Sequence, residues 1–387
     1  MKLILGDGKT AKSITNFLGK QGVDFEQIAD SRLLENTDVL SNIDEVFISP
    51  GIPQTQKIVI AARAKKIPVS SDIELFSRHA TAPIIGITGS NGKSTVTQLL
   101  FEMIKNAGKK AAICGNIGIP ALDCLAAEVD FYALELSSYQ LDYTQNLTLK
   151  TGVVLNITPD HLDRYQGFAD YKKSKLSLYD FCQKPVFNLD EIHTPSGDGF
   201  SKNLPKKSAD FGIVSCHGSR YFVYGDEALM GIDEMKIIGE HNIYNALAAL
   251  SLGAKIGLNI SAMVQAIKDF KGLPHRLEWV CKKDEIHYYN DSKATNASAT
   301  ITAIKALSTK HQAICLILGG IKKREDYTEL FKLINAKISA VVLIGESAGE
   351  FATKITTKTI QATSLKSAIH QAQKSHPNAI LLPKPLA

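Results

Sequence analysis

Residues 82–98, APIIGITGSNGKSTVTQ, carry the side chains whose spacing most clearly implies chemistry. Ile84, Ile85 and Ile87 form a β-branched apolar run that breaks at Gly89-Ser90-Asn91-Gly92. Lys93-Ser94-Thr95 then lead into helical spacing at Val96, Leu99, Leu100, Met103 and Ile104. Strand, glycine-rich turn and helix in that order make a phosphate cradle. The glycines let backbone N–H groups crowd an anion, the helix N-terminus adds its positive end, and the lysine reaches the β/γ-phosphates. The hydroxyl that follows the lysine is placed for Mg²⁺. Strict spacing of a P-loop would need glycine where Ile87 stands, so TGSNGKST is a shorter variant.

Other candidates lie at the ends of strand-like runs. Glu135, in FYALELSSYQLD, is a carboxylate inside an apolar strand. A buried acid is costly unless paired or metal-bound, and a magnesium role is preferred here to a structural salt bridge. His161, in LNITPDHLDRY, stands between Asp160 and Asp163, and by type alone a structural role and a ligand role are equally open. Asn116 lies in the turn GNIG, and Asn242 and Asn245 share neighbouring faces of the helical run GEHNIYNALAAL. Asp291-Ser292-Lys293 and Gly319-Gly320 again follow strand-like runs. Nearer the start, EVFIS runs into Ser49-Pro50-Gly51, and Arg32 follows VDFEQIA. Open α/β sheets place ligands at such carboxyl ends. Gly6 and Gly8 begin a dinucleotide-like turn, but its third glycine falls on Ala11, so a plain tight turn explains the pair equally well.

Strands alternating with helices throughout predict an α/β protein of three domains, each an open, mostly parallel doubly wound sheet. The divisions are 1–80, a small substrate-binding domain; 81–271, a central P-loop-type ATP-binding domain; and 272–387, a Rossmann-like domain, with the boundary at Lys271-Gly272-Leu273-Pro274. Residues 183–236 read as an irregular excursion within the second. Hydrophobic content of 44% and charged content of 21% are ordinary for a soluble globular protein. The net charge of +5 is spread out, which argues against a nucleic-acid partner. No run approaches the ~18 apolar residues of a membrane helix, and the opening MKLILG reads as a strand, not a signal peptide. Six cysteines without a C-x-x-C pair predict free thiols and a cytoplasmic enzyme; a monomer is expected.

Taken together, TGSNGKST, GNIG, ELSSYQLD, NITPDHLDRY, HNIYNALAAL, HRLE and YNDSKATN resemble the Mur ligase family over nearly the whole chain. Within it, ELSSYQLD and NDSKATN resemble the member that joins D-glutamate to UDP-N-acetylmuramoyl-L-alanine. The resemblance implies an ATP-dependent amide ligase of peptidoglycan precursor synthesis that works through an acyl phosphate. It assigns Lys93 to the β/γ-phosphates, with Gly89, Ser90, Asn91, Gly92, Ser94 and Thr95 around them. Ser94 and Glu135 would hold a first Mg²⁺, and His161 a second. Asn116 would position the substrate, and Asn242, Asn245, Arg276 and Asp291 would contact adenine, ribose or phosphates. Lys293, Thr295 and Lys323 would meet D-glutamate; Arg32, Ser49 and Gly51 would meet the UDP-sugar. The resemblance also makes Lys175, in YKKSKLSLYD, a lysine carbamylated by CO₂ and able to serve a Mg²⁺ site. A solvated helix face would otherwise explain it along with Lys172 and Lys173.

Family members continue past the strand matching AILL with a Ser-Pro-Ala-type loop and a Phe-containing segment, where this sequence reads PKPLA. On that basis weak D-glutamate binding is expected, with KM raised at least about tenfold. Two alternatives accompany the ligase reading: a folylpolyglutamate-type ligase with another acceptor, and a nucleotide-binding chain made inactive by a shortened third domain.

Overall fold

The structure is a computed structural model that describes residues 1–29, 36–125, 128–161, 164–191, 197–294, 296–321, 326–375 and 377–383. The chain divides into two compact units, one of Met1–Glu234 with Tyr244–Asp269, the other of Met235–Ile243 with the residues from Phe270 onward.

The first unit opens with β1 (Lys2–Leu5), α1 (Lys9–Lys20), β2 (Phe25–Ile28), β3 (Glu45–Ile48), α2 (Lys57–Ala64), β4 (Val69–Ser70) and α3 (Asp72–His79). Its four strands are parallel in the order β2-β1-β3-β4. The turns after β1 and β3 therefore emerge side by side on the carboxyl rim. Ser71 caps α3 by accepting from the Ile73 N–H, and Asp72 and Glu74 lie in that helix's first turn, where they complement its dipole.

The central sheet is built from β5 (Ile84–Thr88), β6 (Ala111–Gly115), β7 (Phe131–Glu135), β8 (Leu149–Val154), β9 (Cys182–Asn188), β10 (Gly199–Phe200), β11 (Phe211–Cys216), β12 (Ser219–Tyr224) and β13 (Glu227–Gly231). Around it lie α4 (Lys93–Asn106), α5 (Ser138–Leu141), α6 (Phe168–Leu176), α7 (Glu240–Lys255) and α8 (Ile260–Asp269). All five residues of β5 are buried, as a parallel strand covered on both faces requires. The strand order is β13-β12-β11-β10-β9-β8-β5-β7-β6. The chain leaves β5 toward one edge and later returns to β8 on its other side, so a crevice opens at the carboxyl ends of β7, β5 and β8.

The stretch 183–236, expected to be irregular, instead extends this sheet with β9 to β13. β11 and β12 form an antiparallel hairpin closed by His217-Gly218, both at positive φ, as a tight two-residue turn demands. His-Gly is not among the dipeptides that announce such a turn, which is why alternation alone did not reveal the hairpin. Tyr132 and Leu134 of β7 share one hydrophobic cluster with Ile4, Phe47, Ile73 and Phe76, so the first two sheets of this unit are joined by a continuous core.

The second unit holds β14 (Glu278–Lys283), β15 (Ile286–Asp291), α9 (Ala297–Leu307), β16 (Ile314–Gly319), α10 (Thr328–Lys337), β17 (Ala340–Ile344), α11 (Ala348–Ala352), β18 (Thr359–Ala362), α12 (Leu365–Gln373) and β19 (Ala379–Pro383). Its sheet runs β14-β15-β19-β16-β17-β18, antiparallel only at the β14–β15 edge. Clusters on its two faces centre on Leu316, Leu318 and Leu343 on one side and on Ile317, Val342 and Ala368 on the other.

Candidate functional site: a phosphate cradle at three adjacent strand ends

Gly89-Ser90-Asn91-Gly92 turns between β5 and α4 as its spacing predicted. Gly92, the residue before α4, has φ of 88°, and a Cβ there would lie 2.4 Å from Asn245 Oδ1. Both the backbone and the close approach of Asn245 demand glycine. The loop is tied to the segment leaving β8. The Ser90 N–H donates to the Asn156 carbonyl at 2.9 Å, and the Asn91 N–H to Asn156 Oδ1 at 2.8 Å. Ser90 Oγ meets the Tyr171 hydroxyl at 2.9 Å. Lys93 is folded over the loop, its Nζ donating to the carbonyls of Gly89 at 2.8 Å and Ser90 at 3.0 Å. Ser94 and Thr95 are buried at the start of α4. Asn156 and Tyr171 went unremarked in the sequence. A polar residue just past a strand end was a signal for Asn156, whereas nothing local marked Tyr171.

Glu135 ends β7 in register with Ile87 of β5, beside the cradle. It is 2% exposed. Asn116 donates its Nδ2 to Glu135 Oε1 at 2.7 Å and its backbone N–H to the Glu135 carbonyl at 2.9 Å. The approach is possible because Gly115 has φ of 97° and no Cβ, which would otherwise stand 2.4 Å from that carbonyl. Glu135 Oε2 is buried and has no hydrogen-bond partner among the described residues. A buried acidic side chain with one oxygen unanswered among the described residues fits a cation. Among the described residues no three His, Cys, Asp or Glu side chains gather as a metal cluster. Magnesium is commonly held by one or two carboxylates with waters and phosphate oxygens, so a full protein cage is not needed.

Lys175 is the buried lysine of α6, 2% exposed, while Lys172 and Lys173 on the same helix are exposed. Burial first, and then the nearby Lys93 ammonium, pull its pKa from 10.5 down to about 7. Its Nζ lies 4.9 Å from the centre of the Tyr171 ring. Between about pH 7 and 10.5 the unfolded chain holds a proton here that the folded chain has released, so native stability rises with pH across that window. Below pH 7 both states are charged and the folded state bears the whole cost of a buried ammonium. In CO₂-free buffer, Lys175→Met should therefore melt at a higher temperature than the parent at pH 6, and the gap should close toward pH 10. A gap independent of pH would show that Lys175 is not desolvated.

His161 follows β8 at φ of 53°, its N–H donating to Asp160 Oδ1 at 2.9 Å. Its ring packs on Tyr139, the centroids 5.0 Å apart. A non-glycine residue held in the left-handed region is a strained arrangement that the surroundings must enforce.

On the rim of the first sheet, Ser49 Oγ is buried without a hydrogen-bond partner among the described residues, close against Gly6, where a Cβ would lie 2.3 Å from it. Two loop ends thus converge on one unanswered hydroxyl. The Gly51 carbonyl accepts from Arg164 Nη1 at 2.7 Å. Arg32 lies outside the described residues.

In the second unit, Asn242 donates to the Ile238 carbonyl at 2.7 Å. Asn242 and Arg276 line one cavity of about 540 Å³ together with Lys236, Lys271 and Lys310, a basic lining that suits an anionic ligand. Asp291, at the end of β15, accepts from the Leu277 N–H at 2.9 Å, and burial raises its pKa to about 6. His275 and Leu277, on either side of Arg276, are both at positive φ. Lys293 is exposed. Thr295 and Lys323 lie outside the described residues.

Comparisons with known proteins converge. The Mur ligase middle domain matches residues 87–253, and the Mur ligase glutamate ligase domain matches residues 275–385. A UDP-N-acetylmuramoylalanine–D-glutamate ligase of Pseudomonas savastanoi pv. phaseolicola is 38% identical, covering 95% of this chain and 89% of its own. One of Pseudomonas syringae pv. syringae is 40% identical over 90% and 83% of the two chains. Among solved structures, UDP-N-acetylmuramate-alanine ligase MurC of Thermotoga maritima shares the fold with a TM-score of 0.65 at 14% identity, covering 100% of this chain and 95% of that one. A pseudomurein peptide ligase type C of Methanothermus fervidus also gives 0.65, at 17% identity over 99% and 96% of the chains. Near-full-length identity to these D-glutamate ligases, together with the matched central and carboxyl-terminal domains, places the molecule: the chain belongs to the Mur ligase family.

Proposed function

We propose that this chain is an ATP-dependent ligase that adds D-glutamate to UDP-N-acetylmuramoyl-L-alanine in peptidoglycan precursor synthesis. The observation that carries the reading is the unanswered Glu135 Oε2 beside a lysine-bearing phosphate loop, in a chain about 40% identical to a ligase of that name. In the reaction, a carboxylate oxygen of the UDP-linked substrate attacks the γ-phosphorus of ATP, and ADP leaves. The amine of D-glutamate then attacks the acyl carbon, phosphate departs, and the nitrogen gives up a proton as the amide forms. In such a transfer the protein mainly positions groups and stabilises developing charge.

On this reading each group of residues has a part. Backbone N–H groups of residues 89–95 and Lys93 would hold the phosphates. Ser94, Glu135, His161 and a carbamylated Lys175 would hold Mg²⁺ at two sites, where it would screen phosphate charge. Asn116, already hydrogen-bonded to Glu135, would orient the substrate carboxylate. Asn242, Asn245, Arg276 and Asp291 would meet adenine, ribose or phosphate, Asn245 lying close against Gly92 of the phosphate loop. Ser49, Gly51 and Arg32 would receive the UDP-linked substrate on the rim of the first sheet, with Lys293, Thr295 and Lys323 left for D-glutamate. Residues 1–80, 81–271 and 272–387 would serve UDP, ATP and amino acid in turn. The free thiols support a cytoplasmic location. Among the described residues no helix is long and apolar enough to cross a membrane.

The test is a coupled assay for ADP with ATP, Mg²⁺ and UDP-N-acetylmuramoyl-L-alanine. ADP release that depends on D-glutamate, with no response to L-glutamate, is the expected result. Release driven by a different acceptor would overturn the substrate assignment.

A further inference from the structure

Arg164 ties together two parts of the first unit that the chemistry would need in register. Its guanidinium fork donates from Nη1 to the Gly51 carbonyl at 2.7 Å and from Nη2 to the Ile52 carbonyl at 3.0 Å. These carbonyls belong to the loop that leaves β3, whose first residue is Ser49, its hydroxyl buried with no hydrogen-bond partner among the described residues. The Tyr143 hydroxyl donates to the same Ile52 carbonyl at 2.9 Å, and Gln54 Nε2 reaches the Asp142 carbonyl at 3.3 Å. On its other side the Arg164 guanidinium lies 4.1 Å from the centre of the Tyr139 ring. That ring in turn packs against His161, and the Arg164 N–H donates to the His161 carbonyl at 3.0 Å. One planar cation thus spans from the rim of the first sheet to the strained loop that carries His161. Two parallel hydrogen bonds and a stacked face fix both the distance and the angle between them.

We infer that Arg164 is a positioning residue that holds the Ser49–Pro53 loop at a set distance from His161, so that a UDP-linked substrate seated on the rim presents its carboxylate to the phosphate cradle. The inference rests on the reading that this rim receives the UDP-linked substrate. Arginine is required because a lysine ammonium reaches one carbonyl at a time and stacks poorly on the tyrosine ring. Arg164 touches neither Lys93 nor the glycines of the phosphate loop in any hydrogen bond of the described residues, so ATP binding stands apart from it.

The experiment uses the full chain with Arg164→Met and Arg164→Lys, and measures binding of UDP-N-acetylmuramoyl-L-alanine and of ATP–Mg²⁺ separately by calorimetry, with kcat and thermal melting alongside. For Arg164→Met the UDP-linked substrate should bind at least about tenfold more weakly while ATP affinity moves less than about threefold. Arg164→Lys should recover part of the loss, and kcat should fall in both variants because the substrate carboxylate is misaligned. A lower melting temperature with both affinities unchanged would reduce Arg164 to a structural tie and overturn the inference. Equal loss of both ligands would overturn it too. Failure of the parent chain to bind the UDP-linked substrate would instead remove the reading of the rim on which the inference stands.

Discussion

Replacing Lys93 with alanine is expected to lower ATP-dependent turnover by about 10²–10³-fold, the usual cost of losing an electrostatic partner of the transition state. The side chain already sits over the loop, Nζ within 3.0 Å of the Gly89 and Ser90 carbonyls. It would need only to turn from those acceptors to stronger ones on the phosphates. Because it is half-buried and donates to carbonyls of the surface loop, its loss should leave the fold intact, which circular dichroism and thermal melting would check. A second consequence follows from its proximity to Lys175. The Lys93 charge helps to depress the Lys175 pKa, so its removal should let that amine hold its proton to a higher pH. Lys93→Ala should therefore lower activity in two ways, and high bicarbonate should relieve only the smaller of them. ADP release at the parent's rate in Lys93→Ala would overturn the assignment of the phosphate loop.

Lys175→Ala is expected to lose about 10²-fold or more in rate, and acetate or formate in the buffer should restore part of it. The reasoning starts from the amine. A lysine with its ordinary pKa of about 10.4 is neutral at pH 7 in roughly one molecule in two or three thousand, whereas near pKa 7 about half are neutral. Only the neutral nitrogen has a lone pair to attack the carbon of CO₂; the N–C bond forms, a proton leaves for solvent, and a carbamate anion results. A buried ammonium thereby becomes a carboxylate-like group suited to a cation. A small carboxylate in the cavity left by alanine would supply the same oxygens. Lys172→Ala and Lys173→Ala, on the exposed part of α6, should be nearly silent. Equal damage from all three would replace the carbamate with a general basic face. Mass spectrometry of the native parent, looking for a CO₂ adduct that vanishes in Lys175→Ala, gives a readout separate from activity.

The phosphate cradle was legible in the sequence because its physics is local. A strand, a turn that only glycine permits and the start of a helix follow one another within residues 84–95, so spacing alone reports their geometry. The alternation of strands and helices was legible for the same reason, since buried parallel strands must be apolar throughout. The hairpin of β11 and β12 was not, because His217-Gly218 lacks the usual turn signature.

What the tertiary structure alone decided is which polar groups lie in the dark. Lys172, Lys173 and Lys175 are chemically alike in the sequence, and only the packing of α6 buries the third and strips its charge of water. Glu135 was marked by its apolar strand, but only the fold shows that Asn116 answers Oε1 while Oε2 lies buried with no hydrogen-bond partner among the described residues. Arg164 gave no local sign at all, since its partners Gly51 and Ile52 lie more than a hundred residues away in the chain. Desolvation and long-range hydrogen bonding depend on what the fold brings alongside a residue, and neighbours in sequence do not contain that information.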